Sequence, residues 1–275
     1  MAHWLLTLVV ILVTLKLLVW WLEPRMAFFP IAGVQETPAA FGQSFADVRI
    51  PTGDGETLHA WWLEHPNPRA QVIFWHGNGG NLSLWLDVIA GLRQRDFSVL
   101  AVDYRGYGGS SGRPSERGLL LDADASVRHF NAHLRKPDRP VVFWGRSLGV
   151  VAAARGTQAA RPDAVVLESP FPDVASVFRG NPVMTFFSWF SSYKFATSRL
   201  MDRYDGPLLV VHGDRDTLIP FRAGREVFER SRSPKKEFVA IRGAEHNDLH
   251  IADAAAYWAA IDRFMEKLGT QNQEF

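Results

Sequence analysis

Val141-Val142-Phe143-Trp144-Gly145-Arg146-Ser147-Leu148-Gly149 is the stretch that decides the fold, a short apolar run breaking into Gly-x-Ser-x-Gly. The run reads as a buried strand, and the alanine-rich segment from Leu148 to Ala160 reads as a helix. Glycines at 145 and 149 remove side chains where a strand must turn sharply into a helix, so that the Ser147 hydroxyl projects from the sheet edge. That projection lets a serine act as a nucleophile. The five-residue pattern alone recurs by chance, and its weight comes from the strand before it and the helix behind it. The plain alternative is a serine in an ordinary strand-to-helix turn.

A nucleophilic serine needs a base, and the base needs a group that orients it. Both stand downstream in the chain order Ser, Asp, His. Strand-like Leu208-Leu209-Val210-Val211 ends in His212-Gly213-Asp214-Arg215-Asp216, and strand-like Glu237 to Ile241 ends in Arg242-Gly243-Ala244-Glu245-His246. His246 is the expected base and Asp216 the expected orienting acid. Asp214 competes for that role, because either carboxylate lies a few residues beyond the strand. Glu168, closing Ala164-Val165-Val166-Leu167, is a weaker third acid that fits local pairing better. His212 and His250 suit structural roles.

An oxyanion site is expected from an earlier strand. Gln71-Val72-Ile73-Phe74-Trp75 runs into His76-Gly77-Asn78-Gly79-Gly80-Asn81, a glycine-rich loop that can bring backbone N–H groups close to a developing negative charge. The expected donors are the amides of Asn78 and Leu148. A phosphate cradle is the rival reading, but the lysine and Ser/Thr of a P-loop are missing and the glycine spacing does not fit a dinucleotide fingerprint. His76 fits a loop brace. Asp103, followed by Tyr-Arg-Gly-Tyr-Gly, fits a brace for a turn-rich stretch. A metal site built from His212, Asp214, Asp216, His246 and His250 competes for residues that the serine chemistry already uses.

Together these residues carry a resemblance. The chain resembles the α/β-hydrolase superfamily, and within it the membrane-anchored α/β-hydrolase-domain proteins grouped with the serine-aminopeptidase-like hydrolases. The matching stretches are Ala60 to Leu63, His76 to Asn81, Asp103 to Gly112, Gly145 to Gly149, Glu168 to Phe171, His212 to Pro220 and Gly243 to Asn247. They span nearly all of the chain after its amino-terminal segment. The resemblance implies the fold, a triad of Ser147, Asp216 and His246, and oxyanion amides at Asn78 and Leu148; it implies no particular substrate. Arg146 departs from many relatives, and its charge either lies near the nucleophile or points into solvent.

Trp4 to Leu22 is about nineteen residues with only Lys16 charged, close to the length that crosses a hydrocarbon core. Lys16 lies toward one end and can snorkel. A cleaved signal peptide fits less well. The apolar run is too long, no basic region precedes it, and Trp20-Trp21-Leu22-Glu23-Pro24 lacks small residues for cleavage. The tryptophans suit an interfacial belt. The expectation is a retained single-pass anchor over residues 1–25, followed by a hydrolase domain over 26–275. Lys16 and Arg25 are too few to fix which side of the membrane the domain occupies.

With 275 residues, a formal charge of +1 and no cysteine, the chain suits one α/β domain without disulfides or a thiol nucleophile, and nothing in it points to nucleic acid. Met26 to Gln43 is proline-containing and irregular. Phe45 to Ile50 and Glu56 to Leu63 read as an antiparallel hairpin across Gly53-Asp54-Gly55. The later strands alternate with helical patterns, which argues for a mainly parallel twisted sheet with helices on both faces. The connection from Pro170 to Pro207 breaks the alternation between the sixth and seventh strands and reads as a small cap. Its Phe186, Phe187, Trp189 and Phe190 suit an acyl pocket, a lipid contact or plain packing onto the domain. The expected activity is a membrane-anchored serine hydrolase acting on carboxylic esters or thioesters of acyl or lipid-like compounds, without cofactor or metal. An amidase or peptidase, and a non-catalytic binding protein of the same fold, are the alternatives. Oligomeric state is not legible.

Overall fold

Runs of valine, leucine and isoleucine too continuous for a half-exposed sheet become strands buried on both faces. In the computed structural model, which describes residues 2–271, the main sheet has eight strands. They are β1 (Ala46–Pro51), β2 (Thr57–Leu63), β3 (Ala70–Trp75), β4 (Phe97–Val102), β5 (Val141–Arg146), β6 (Ala164–Glu168), β7 (Leu208–Gly213) and β8 (Lys236–Ile241). Their spatial order is β1-β2-β4-β3-β5-β6-β7-β8. β1 pairs antiparallel with β2, and β2 antiparallel with β4; every other pairing is parallel. The parallel strands all end on one edge, and the chain order reverses around β3. A crevice outside the carboxyl ends at such a switch point is where α/β sheets place ligands.

Helices cover both faces. β5 splits its side chains by parity: Val141 and Phe143 join one apolar cluster, Val142 and Trp144 the other. The first cluster takes in α3 (Glu116–His133), α4 (Gly149–Ala159) and α8 (Phe221–Arg230); the second takes in α2 (Leu86–Arg93) and the closing α10 (Ala254–Gln271). A four-residue helix α9 (Leu249–Ala252) precedes α10. Ser115 starts α3 by accepting the Gly118 N–H at 3.0 Å.

The irregular region from Met26 to Gln43 holds more structure than its composition suggests. The first helix, α1 (Ala2–Ala27), continues past Pro24, and Phe29–Pro30 then forms a short parallel ladder with Gly79–Gly80. The cap between β6 and β7 consists of three short helices, α5 (Val174–Phe178), α6 (Pro182–Ser188) and α7 (Thr197–Met201). Its aromatic residues do not all pack inward: Phe186, Phe187 and Trp189 are exposed. Over His3–Ala27 the first helix is long and apolar enough to cross a membrane, and its apolar side chains face outward.

Candidate active site

Ser147 occupies the turn between β5 and α4 with φ +53°, a left-handed backbone that costs a non-glycine residue about 1–2 kcal/mol. The turn is pinned from both sides: Ser147 N–H donates to the Glu168 carbonyl at 2.9 Å, and the Ser147 carbonyl accepts from Val150 N–H at 3.0 Å. The flanking glycines are sterically required. A Cβ on Gly145 would lie 2.3 Å from the Gly149 carbonyl oxygen, and one on Gly149 would lie 2.0 Å from the Trp75 carbonyl oxygen. Close approach of α4 to β3 and β5 therefore depends on both positions.

The three side chains expected to act together meet. His246 Nε2 lies 2.9 Å from Ser147 Oγ, and His246 Nδ1 lies 2.7 Å from Asp216 Oδ2. With Nδ1–H donating to the carboxylate, Nε2 is left to accept the serine hydroxyl. Asp216 Oδ1 accepts the N–H groups of Leu218 and Ile219 at 3.0 and 2.7 Å. Burial works against the Asp216 charge. Hydrogen bonds with His212 and His246, the charge of His246 and the Ile219 N–H outweigh it, holding the carboxyl well below the usual carboxylate range. Each of the three residues is only 7% exposed, so these interactions act with little competition from water.

The loop after β3 lies against the serine: a Cβ on Gly77 would come 3.6 Å from Ser147 Cβ. Asn78 is held by its carbonyl, which accepts from Phe29 N–H at 3.0 Å and the Tyr107 hydroxyl at 2.8 Å. Among the described residues, no acceptor within the protein takes the amide N–H of Asn78 or of Leu148. Leu148 is also the N-cap position of α4, where the helix end favours negative charge.

The remaining candidates fall elsewhere. Asp214 Oδ1 accepts Gly243 N–H at 2.7 Å and ties two loops together. His212 Nε2 donates to the Ile219 carbonyl at 2.9 Å and lies 3.4 Å from Asp216, so it braces the acid from behind. His76 Nδ1 donates to the Gly77 carbonyl at 2.7 Å, while its Nε2 lies 3.3 Å from Asp103. Glu168 Oε1 accepts from Trp144 Nε1 at 2.8 Å and the Tyr257 hydroxyl at 2.5 Å.

Arg146 does not point into solvent. It is buried beneath the His246 loop, donating from Nη2 to the His246 carbonyl at 3.3 Å, with Nη1 3.2 Å from His250 Nδ1 and 3.6 Å from Glu168. His250 Nε2 in turn meets Asp87 at 2.5 Å. Strand parity carries the signal for this network, because residues 142, 144 and 146 share one face.

Residues 66–206 match the family model described as serine aminopeptidase, S33. The chain is 30% identical to the uncharacterized membrane protein YNL320W of Saccharomyces cerevisiae, over 85% of this chain and 84% of that one. It is 32% identical to the lysophosphatidylserine lipase ABHD12 of Mus musculus, over 62% of this chain and 47% of that lipase. Among solved structures, the Pyrococcus furiosus esterase Pf2001 superposes with a TM-score of 0.74 at 23% identity, over 88% of this chain and 98% of that one, a likeness of fold.

Proposed function

Because the chain belongs to the α/β-hydrolase superfamily, we propose that it is a membrane-anchored serine hydrolase that cleaves carboxylic esters or thioesters through an acyl-serine intermediate. The observation that carries this reading is the continuous hydrogen-bonded chain Ser147–His246–Asp216, ending on a serine in a left-handed turn. In the reaction, Ser147 Oγ attacks the substrate carbonyl while its proton passes to His246 Nε2. Asp216 holds Nδ1–H and stabilises the imidazolium. The amides of Asn78 and Leu148 receive the oxyanion. Collapse of the tetrahedral species breaks the carbonyl bond to the alcohol or thiol, which leaves with the proton from His246. Water then attacks the acyl-serine, gives its proton to His246, and the acid departs as that proton returns to Ser147.

Anchoring is supported by the apolar outward face of α1, by the exposed Trp20 and Trp21 near its end, and by the membrane description of the yeast relative. Residues 1–25 form the anchor in this reading and 26–275 the catalytic part. A lipid-like acyl substrate is supported by the lipase among the relatives. A second reading, amide or peptide hydrolysis by the same groups, is favoured by one observation, the aminopeptidase description of the matching family model.

Fluorophosphonate labelling of the full chain, followed by rate comparison on esters, thioesters and peptides, tests the proposal. Adduct formation at Ser147 with faster ester or thioester turnover is expected. Preference for peptides would establish the second reading, and an unlabelled, folded protein would point to a non-catalytic member of the fold. Resistance of the full chain to alkaline carbonate extraction is the expected outcome for the anchor.

A further inference from the structure

The anchor and the cap are joined at several points. Glu23, a carboxylate only 7% exposed, accepts the backbone N–H groups of Ser192 and Tyr193. Lys16 donates to the Phe190 carbonyl at 2.7 Å and to the Ser192 hydroxyl at 3.0 Å. Phe28, just past the end of α1, packs edge-on against Tyr193 and Phe195, with ring centroids 6.0 and 5.9 Å apart.

These ties set a depth. Lys16 and Glu23 are separated by about 10 Å along a helix rising about 1.5 Å per residue. Ser192 is tied to both, its N–H to Glu23 and its hydroxyl to the long Lys16 side chain, so residues 190–193 lie alongside the stretch of α1 between Lys16 and Glu23. Trp20 and Trp21, with Arg25 stacked 4.4 Å over the Trp21 ring, lie between the two levels and mark an interfacial belt. Residues 190–193 therefore lie level with that belt, and α6 with Trp189 adjoins it.

The composition of this segment suits that place. No charged residue falls between Asn181 and Tyr193. Val183, Phe186, Phe187 and Trp189 are exposed, Trp189 to 76%, and Phe186 and Trp189 wall an open hollow. The polar side chains find partners within the segment. Thr185 donates to the Phe178 carbonyl at 3.0 Å, Ser188 donates to the Thr185 carbonyl at 2.7 Å, and Asn181 Oδ1 accepts Met184 N–H at 3.1 Å. Such internal satisfaction is demanded where water is absent. The end of α1 and the chain just beyond it also touch the loop after β3, since Phe29 N–H donates to the Asn78 carbonyl at 3.0 Å and Asn78 Nδ2 donates to the Ala27 carbonyl at 3.4 Å.

From this arrangement we propose that α6 and Trp189 are seated in the leaflet nearest the catalytic domain, held at that depth by Lys16 and Glu23, and that the substrate's acyl chain enters the site from the bilayer. The proposal rests on the reading of the chain as a membrane-anchored hydrolase.

The absence of cysteine makes a depth measurement direct. Trp189→Cys, Val9→Cys in the anchor and Asp138→Cys on the opposite edge of the sheet are each labelled with an environment-sensitive fluorophore. The full chains are reconstituted in phosphatidylcholine vesicles carrying doxyl-labelled acyl chains. Labels at 189 and 9 should be quenched and the label at 138 should not. Val183→Cys repeats the measurement if Trp189→Cys folds poorly. Quenching at 9 without quenching at 183 or 189 overturns the seating and leaves the anchor standing, whereas an unquenched label at 9 overturns both. For the entry route, Phe187→Glu should lower the ratio of turnover on a long-chain ester in vesicles to turnover on a short soluble ester by about tenfold, the effect of a carboxylate placed against lipid. An unchanged ratio overturns entry from the bilayer.

Discussion

Asp103 and Asp216 stand in matching surroundings and differ in what lies one atom further on. Asp103 follows β4 and Asp216 follows β7, both are buried, and each lies between two histidines. In both, burial works against the charge and the flanking histidines reverse it, so both carboxyls are held below the usual carboxylate range. Beyond His246 stands the Ser147 hydroxyl at 2.9 Å, which can give its proton to the ring. Beyond His59 stands the Asp47 carboxylate at 2.9 Å, and beyond His76 the Gly77 carbonyl at 2.7 Å. Those oxygens only accept. A buried Asp–His pair with a displaced pKa thus suits a braced turn as readily as a reaction centre, and the serine hydroxyl is what the proposed site has and the braced turn lacks.

The sharpest way to break this comparison is to remove the serine. Ser147→Ala should abolish fluorophosphonate labelling and lower kcat on the order of 10⁵-fold, while thermal melting shows the fold retained. Residual turnover near wild type would move the chemistry away from Ser147. Next in size, Asp216→Asn should cost about 10³- to 10⁴-fold in kcat, as the loss of a triad acid does, whereas Asp214→Asn should stay within about threefold. The reverse ranking would assign the acid to Asp214. Asp103→Asn should invert the pattern of Asp216→Asn. It should cost about 1–3 kcal/mol in urea unfolding through lost partners for His59 and His76, yet change kcat per folded molecule by less than about tenfold. A catalytic loss matching that of Asp216→Asn would erase the distinction between the pairs.

Much of this contrast is legible in the amino-acid sequence itself. The succession of strands along the chain and the strand-turn-helix around Ser147 follow from apolar runs that end in glycine and polar residues, because parallel strands buried on both faces leave their carboxyl ends as the place for chemistry. Asp216 and His246 are visible as polar residues just beyond such runs, and their distances to one another come only from the folded sheet. Arg146 is illegible to a reading that stops at the motif. It becomes legible once parity is carried one step past Trp144, which places residue 146 on the face where Glu168 and Tyr257 lie. The ladder between Phe29–Pro30 and Gly79–Gly80, and the ties from Lys16 and Glu23 to the cap, join residues far apart in the chain. No local propensity encodes them. The cap helices are hidden for a related reason, being too short for a helical period to stand out.

The gentlest test of the comparison uses pH, because His59 and Asp216 respond with opposite sign. His59 has a carboxylate on each ring nitrogen, Asp103 at 3.2 Å on Nδ1 and Asp47 at 2.9 Å on Nε2, so only the imidazolium can donate to both. Burial lowers the pKa of His59, but the hydrogen bonds to Asp103 and Asp47 outweigh it and leave the value raised. A folded-state pKa above the unfolded one stabilises the protein fully below the ordinary histidine value, and that contribution disappears as pH rises through the raised value. The depressed Asp216 behaves oppositely: its contribution is present above the ordinary carboxylate range and is lost as pH falls through and below it. Urea unfolding followed from pH 5.5 to 8.5 should therefore show stability declining toward the alkaline end in the wild type. His59→Gln should flatten that decline, while Asp216→Asn should leave it in place. An alkaline decline that persists unchanged in His59→Gln would show that His59 is not held as an imidazolium, and would remove the electrostatic half of the contrast between the two pairs.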